Sequence, residues 1–257
     1  MVTYLEAFIL AIVQGITEWL PVSSSGHLVI LQQVFGMSAD ISFDLMLHFA
    51  TLIVVLLVFW RDIVDVLKAF ITVDIDSPDW RFAFFIIAGM IPTGLIGYYF
   101  EAFFTSAFSS LTLVGSALLI TGLLLFLTKY PPKARKLDFK RAILIGIFQG
   151  IAITPGISRS GATISAAIST GVDRKKAVRF SFLLFIPAMV GAMLFKLSDI
   201  AAIGLSDTGP VMLGMITAII VGFFSLKLLI RLIISKKFHW FALYCWILGI
   251  ALLLLAF

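Results

Sequence analysis

Long apolar stretches separated by short polar turns run the length of the chain. Six are long enough to cross a bilayer, which takes about 20 apolar residues in helical form. They cover residues 41–60, 80–100, 111–128, 176–197, 210–233 and 239–257. Two further apolar regions break this pattern. Residues 4–36 carry Gln14, Glu18, Pro21, Ser23, Ser24, Ser25 and His27 in their middle, and residues 139–170 carry Gln149, Pro155, Ser158, Arg159 and Gly161. Each reads as two short helices joined by a polar turn. Irregular backbone at membrane depth survives only where protein or a water-filled cavity satisfies its polar groups. The pattern therefore predicts an all-α polytopic membrane protein, with six transmembrane helices and two re-entrant helical hairpins.

Composition supports this and excludes a soluble domain. Of 257 residues, 61% are hydrophobic and 13% charged, with a mean hydropathy of +1.12; a soluble domain is about half apolar and one quarter charged. The net charge of +5 points to cytoplasmic loops, with no nucleic-acid partner. Lys129, Lys133, Arg135, Lys136, Lys140 and Arg141 crowd one loop; Arg174, Lys175, Lys176 and Arg179 lead into the fourth span. Lys227, Arg231, Lys236 and Lys237 lie between the fifth and sixth, and Arg61, Lys68 and Arg81 flank the loop after the first. One topology puts all of these inside. The N-terminal hairpin, the 101–110 and 198–209 loops and the C-terminus then face outward, and residues 1–40 hold no Lys or Arg. The expected location is the cell membrane, multi-pass. Only Arg159 and Lys196 fall outside the inner set, and Lys196 can snorkel from a helix end. The lone Cys245 leaves no disulfide or cysteine metal site within the chain. The first apolar stretch lacks the basic start and cleavage site of a removable signal peptide.

Shifting the sequence by 135 residues aligns "QGITEWLPVSSSGHL" (14–28) with "QGIAITPGISRSGAT" (149–163). Gln14 then matches Gln149, Gly15 Gly150, Ser23 Ser158, Ser25 Ser160 and Gly26 Gly161. The spans that follow superpose as well. Residues 1–128 and 136–257 thus read as two repeats, each a hairpin plus three spans. Three is odd, so the second repeat enters from the opposite side, giving an inverted-topology repeat. Two polar turns, one from each side, would meet near the bilayer centre.

The turns carry unequal chemistry. An arginine at the bilayer centre costs at least about 2.5–3.5 kcal/mol, so Arg159 marks function by default. Its planar fork suits phosphate or carboxylate; it equally suits a pair with Glu18 that holds the halves together. Ser158, Ser160 and Thr163 offer hydroxyls beside it, and Gly156 and Gly161 permit close backbone approach. Gln14 and Glu18, four apart, share a helix face and suit a hard cation or an oriented water. Ser23, Ser24 and Ser25 suit helix capping or nucleophilic attack, with His27 a base or a satisfied buried imidazole.

"QGITEWLPVSSSGH" and "PGISRSGAT" resemble the two signature motifs of the undecaprenyl-diphosphate phosphatase family, the bacitracin-resistance proteins. The likeness extends through motif order, spacing and flanking spans. It implies a membrane enzyme with an interlocked inverted repeat that removes the terminal phosphate of a polyprenyl diphosphate. The product is the monophosphate carrier of cell-wall and glycan assembly. It also implies an active site open to the extracytoplasmic side and a divalent cation, magnesium or calcium. The family's paired acidic positions fall on Gln14 and Glu18, its serine and histidine on Ser24 and His27, and its second motif on Ser158, Arg159 and Thr163. Gln14 departs from the glutamate of many members, which weakens a metal site at Gln14 and Glu18.

The resulting reading is phosphoanhydride hydrolysis on a membrane lipid. Glu18, Ser24, His27 and Arg159 would be catalytic. Ser23, Ser25, Ser158, Ser160, Gly161 and Thr163 would bind substrate. Ser24 would attack, three residues before His27 and within reach of it, with His27 as general base or acid. No Walker-type loop, zinc motif or Rossmann fingerprint competes. The inverted repeat alone fits a lipid or small-anion transporter or flippase equally well.

Overall fold

The computed structural model describes residues 2–37, 41–196 and 208–255. Most of the expected 198–209 loop, and the last two residues of the sixth span, lie outside the described residues. Those described form helices joined by short turns, with no named strand among them.

The first hairpin is α1 (Tyr4–Thr17) and α2 (Ser24–Val34); the second is α8 (Phe139–Ile151) and α9 (Arg159–Ser169). Local chemistry fixes their ends. Thr3 and Glu6 form a reciprocal capping box at α1. Asp138 caps α8 and accepts from Arg141 N at 2.9 Å. Ser23 and Ser158 cap α2 and α9, accepting from the backbone N–H of Gly26 and Gly161 at 3.3 and 3.1 Å. A capping oxygen satisfies an N–H that has no partner in the first helical turn.

The spans follow the apolar pattern. They are α3 (Ile41–Val58), α5 (Pro78–Tyr99), α7 (Leu111–Leu127), α10 (Arg174–Phe195), α11 (Thr208–Ile234) and, after a 3-10 turn at Phe238–Trp240, α12 (Phe241–Leu255). Four pass as apolar spans outright, and six if each bent pair counts as one. The chain is an all-α polytopic membrane protein.

Two helices stand where loops were expected. α4 (Trp60–Ile71) turns 78° from α3, and α6 (Glu101–Ala107) meets α7 at 104°. On α4 the apolar Trp60, Val64, Leu67 and Ile71 recur on one exposed face, and Arg61, Asp62, Asp65 and Lys68 fill the other. That is the pattern of a helix lying along a membrane surface.

The most extensive helix pairings join the two halves of the chain: α12 on α7, α1 on α11 and α5 on α8. Close approach makes the third possible. A Cβ on Gly146 of α8 would sit 2.0 Å from the Gly89 carbonyl oxygen of α5. Thr93 donates its hydroxyl across the same seam to Gly146 O at 2.9 Å. At one end of the bundle Arg179 pairs with Asp62 and Asp79, at 2.6 and 2.9 Å. At the other end Lys196 pairs with Glu101 at 3.2 Å, so it has a carboxylate partner as well as any reach to the interface.

Candidate functional site

The two hairpin turns touch tip to tip. Gly156 N donates to Ser23 Oγ at 3.0 Å, and Ser160 Oγ donates to Trp19 O at 2.9 Å. Each tip is braced from behind by a helix. Thr121 of α7 donates to Gly156 O at 2.9 Å and accepts from Ser158 N at 3.1 Å. Cys245 of α12 donates its thiol to Pro21 O at 3.4 Å. Ser23 adopts φ +67°, in the left-handed region, and Gly156 adopts φ +96°. Glycine is required at 156 for a second reason: a Cβ there would lie 2.4 Å from Val114 O.

Glu18 is the hub. Its Oε1 accepts from Arg159 Nη2 at 2.5 Å. Its Oε2 accepts from Ser24 Oγ at 2.6 Å and from Gln14 Nε2 at 3.1 Å. His48 Nε2 lies 3.5 Å from the same oxygen. Burying a charge is costly unless it is paired and hydrogen-bonded, and Glu18 meets both conditions. The Arg159 guanidinium also lies over the Phe185 ring, 3.6 Å from its centroid. Its Nη1 is buried and has no hydrogen-bond partner. One arm of the fork therefore serves Glu18, and the other has no hydrogen-bond partner in the protein.

These groups sit in a cavity of about 300 Å³. Glu18, Ser23, Ser24, Ser25, Ser158 and Arg159 line its polar part, with His48 and Gln149. Phe108, Ile153, Ile157, Phe185, Met189 and Ala192 supply apolar walls. Most of the residues expected from sequence thus converge. Three stand behind the wall instead. Ser160 is committed to Trp19, and Gly161 packs on Pro21. Thr163 donates to Arg159 O at 2.8 Å and bonds Ser181 at 2.6 Å. Ser160 and Gly161 hold the hairpin tips together, and the Thr163 hydroxyl ties α9 to α10.

His27 also departs from expectation. It makes no bond to Ser24, whose hydroxyl is drawn the other way by Glu18. Its Nδ1 bonds Ser23 O at 2.8 Å and its Nε2 bonds Tyr244 Oη at 2.6 Å, with the two rings stacked. The imidazole in the cavity is that of His48, which the sequence reading passed over. The available signal was an ionisable side chain within an otherwise apolar span.

A resident magnesium or calcium does not fit this donor set. Glu18 is the one carboxylate lining the cavity among the described residues, and both its oxygens are engaged, one by a guanidinium. No group of three His, Cys, Asp or Glu side chains is placed to hold a metal among the described residues. Gln14 Oε1 is buried without a partner, but Gln14 is not among the cavity-lining residues.

Fold and site together define a polytopic membrane protein with a charge-paired polar centre built from two hairpin turns. Residues 7–251 match the family described as bacitracin resistance protein BacA, and the chain belongs to that family. Relatives named undecaprenyl-diphosphatase align along nearly the whole chain. One from Halothermothrix orenii is 41% identical over 98% of this chain and 97% of its own. One from Methanosphaera stadtmanae is 39% identical over 100% and 99%, and one from Carboxydothermus hydrogenoformans 41% identical over 97% and 96%.

Proposed function

We infer that this protein is an undecaprenyl-diphosphatase: it hydrolyses undecaprenyl diphosphate to the monophosphate and inorganic phosphate, recycling the lipid carrier. The observation that carries this reading is Arg159, which lines a cavity with apolar walls, pairs one arm with Glu18 and leaves the other, buried, without a hydrogen-bond partner. A guanidinium fork matches phosphoryl oxygens, and apolar walls suit a prenyl chain. The N-termini of α2 and α9 both open beside it, and helix N-termini favour anions.

In this reading Ser24 Oγ attacks the terminal phosphorus while its proton passes to Glu18 Oε2, 2.6 Å away. The bond from that phosphorus to the bridging oxygen breaks, and the prenyl monophosphate leaves with the proton from Glu18, which is ionised again. Water then cleaves the phosphoserine, giving one proton to Glu18, which returns it to the departing Ser24 oxygen. Arg159 Nη1 and the helix N-termini stabilise the charge on the transferred group, where electrostatic preorganisation acts most strongly. Glu18 takes the proton-transfer role expected from the sequence for His27. His27 holds the strained Ser23 turn through Ser23 O and anchors it to Tyr244. A divalent cation, magnesium or calcium, enters as the counter-ion of the diphosphate and so belongs to the substrate.

The paired hairpins support an inverted repeat of residues 1–128 and 136–257. In both, the aligned serine caps the second helix, and it lies near the serine two residues on, at 3.2 Å for Ser23–Ser25 and 3.3 Å for Ser158–Ser160. The cavity is walled by Phe108 and Ala192, toward the Glu101–Lys196 end and away from the basic loops. With the basic loops cytoplasmic, substrate enters from the extracytoplasmic side of the cell membrane. Purified protein in detergent, given undecaprenyl diphosphate, should release one phosphate per lipid. No release would overturn the reading and leave transport, which needs two compartments to be seen.

A further inference from the structure

We propose that His48 is a positioning residue of this site, holding the Glu18 carboxylate toward the Ser24 hydroxyl; the proposal rests on the hydrolase reading above. His48 lies on α3, seven residues past the helix start, and is the one histidine lining the cavity among the described residues. Its ring is aimed from behind. Nδ1 lies 2.7 Å from the Asp44 carbonyl oxygen, one turn earlier on the same helix. A carbonyl only accepts, so Nδ1 carries its proton and the ring plane is set. Nε2 is then directed at the carboxylate, 3.5 Å from Glu18 Oε2, and holds it as the imidazolium, in which both ring nitrogens carry a proton.

That oxygen is also the one that accepts from Ser24, at 2.6 Å. Arg159 grips the opposite oxygen, Oε1. The carboxylate is thus held at both ends: by the second hairpin through Oε1, and by Gln14 of α1 and His48 of α3 through Oε2. Without His48 it keeps Arg159 on Oε1 and Gln14 on Oε2 but loses the restraint that α3 applies on the side facing Ser24. An angular error there weakens in-line attack far more than it weakens lipid binding, because misplacement by about 1 Å costs roughly 10²-fold in rate. α3 also packs along α11 and α10, so the restraint comes from a buried, rigid element and not from a loop.

The test compares His48→Phe, which keeps a ring of similar size but no nitrogen, with His48→Gln, whose amide N–H can donate along nearly the same path. kcat and KM for phosphate release from undecaprenyl diphosphate are measured for both, with thermal midpoints in detergent. Expected: His48→Phe lowers kcat at least tenfold, with KM within twofold and the midpoint little changed. His48→Gln should recover kcat to within about threefold of native. Any one of three results overturns the role: His48→Phe with native kcat, a KM that rises while kcat holds, or a midpoint that falls while kcat per folded molecule is unchanged. Equal loss in His48→Gln and His48→Phe also overturns it, since the imidazole itself would then be needed. Native protein that releases no phosphate sinks the hydrolase reading instead, so the two failures are distinct.

Discussion

Replacing Arg159 by lysine keeps the positive charge and removes the fork. In the native site Nη2 is held by Glu18 Oε1 at 2.5 Å while Nη1 has no partner. One planar group can therefore serve the carboxylate and a phosphoryl oxygen together. A lysine ammonium is a single point charge on a flexible stem; if it stays with Glu18 the phosphoryl group loses its donor, and if it moves to the phosphoryl group Glu18 is left buried with less than it needs. Losing one donor aimed at transition-state charge costs about 2.7–4 kcal/mol, a factor of roughly 10²–10³ in kcat. The Phe185 stack, at 3.6 Å, is lost as well, but a cation–π contact of about 0.5–2 kcal/mol is present before and during reaction and so lowers stability more than turnover. Arg159→Ala is a poorer probe, because breaking a buried pair costs about 3–5 kcal/mol and mixes folding with catalysis. The assay is phosphate release at saturating undecaprenyl diphosphate in detergent, beside a thermal midpoint. kcat should fall by about 10²–10³-fold in a protein that still folds; a kcat within threefold of native would refute the clamp.

Ser24→Ala removes the hydroxyl that donates to Glu18 Oε2 and should reduce kcat by at least about 10²-fold, whereas Ser25→Ala should lose far less; near-native Ser24→Ala would make water the attacking group. Gly146→Ala puts a Cβ 2.0 Å from Gly89 O and should cost about 1–3 kcal/mol through overpacking, read as a lower thermal midpoint, while Gly94→Ala, with nothing within 4 Å, should leave the midpoint unchanged or raise it. In a Cys245→Ser background, an impermeant thiol reagent on intact cells should label Ser109→Cys and spare Lys133→Cys; the reverse pattern inverts the proposed access. Gln14→Glu replaces the amide that donates to Glu18 at 3.1 Å with a second carboxylate, which must take up a proton or a cation; the magnesium or calcium concentration for half-maximal activity should fall, and an unchanged value would separate Gln14 from cation use.

The spans were legible because about 20 apolar residues in a row have few other uses. The polar turns were legible for the opposite reason: Glu18 and Arg159 at membrane depth demand a partner, and each supplies the other's. α4 was missed because its charges, Arg61, Asp62, Asp65 and Lys68, look like a loop when counted; only their spacing against Trp60, Val64, Leu67 and Ile71 shows a helix. His27 and His48 exchanged places for a geometric reason. At the start of α2 a modest rotation decides whether a side chain meets the cavity or α12, and no pattern in fourteen residues fixes that rotation. Ser160 and Thr163 lie behind the cavity wall because packed hairpins and spans need polar groups to hold each other, Ser160 on Trp19 and Thr163 on Ser181, and a sequence does not show which hydroxyls that demand consumes.

The charge pair at the centre has a history within each molecule's synthesis. Arg159 lies 141 residues beyond Glu18, so at about 5–20 residues per second the carboxylate waits roughly 7–28 s for its guanidinium. α1 waits longer for α11, and neither hairpin tip has its counterpart until the second is made. A nascent chain halted before Arg159 therefore displays Glu18 without its guanidinium and a first turn without the second tip that bonds Ser23 and Trp19. The bond that closes the site therefore forms only once the second hairpin has joined the first, with the last three spans still to come.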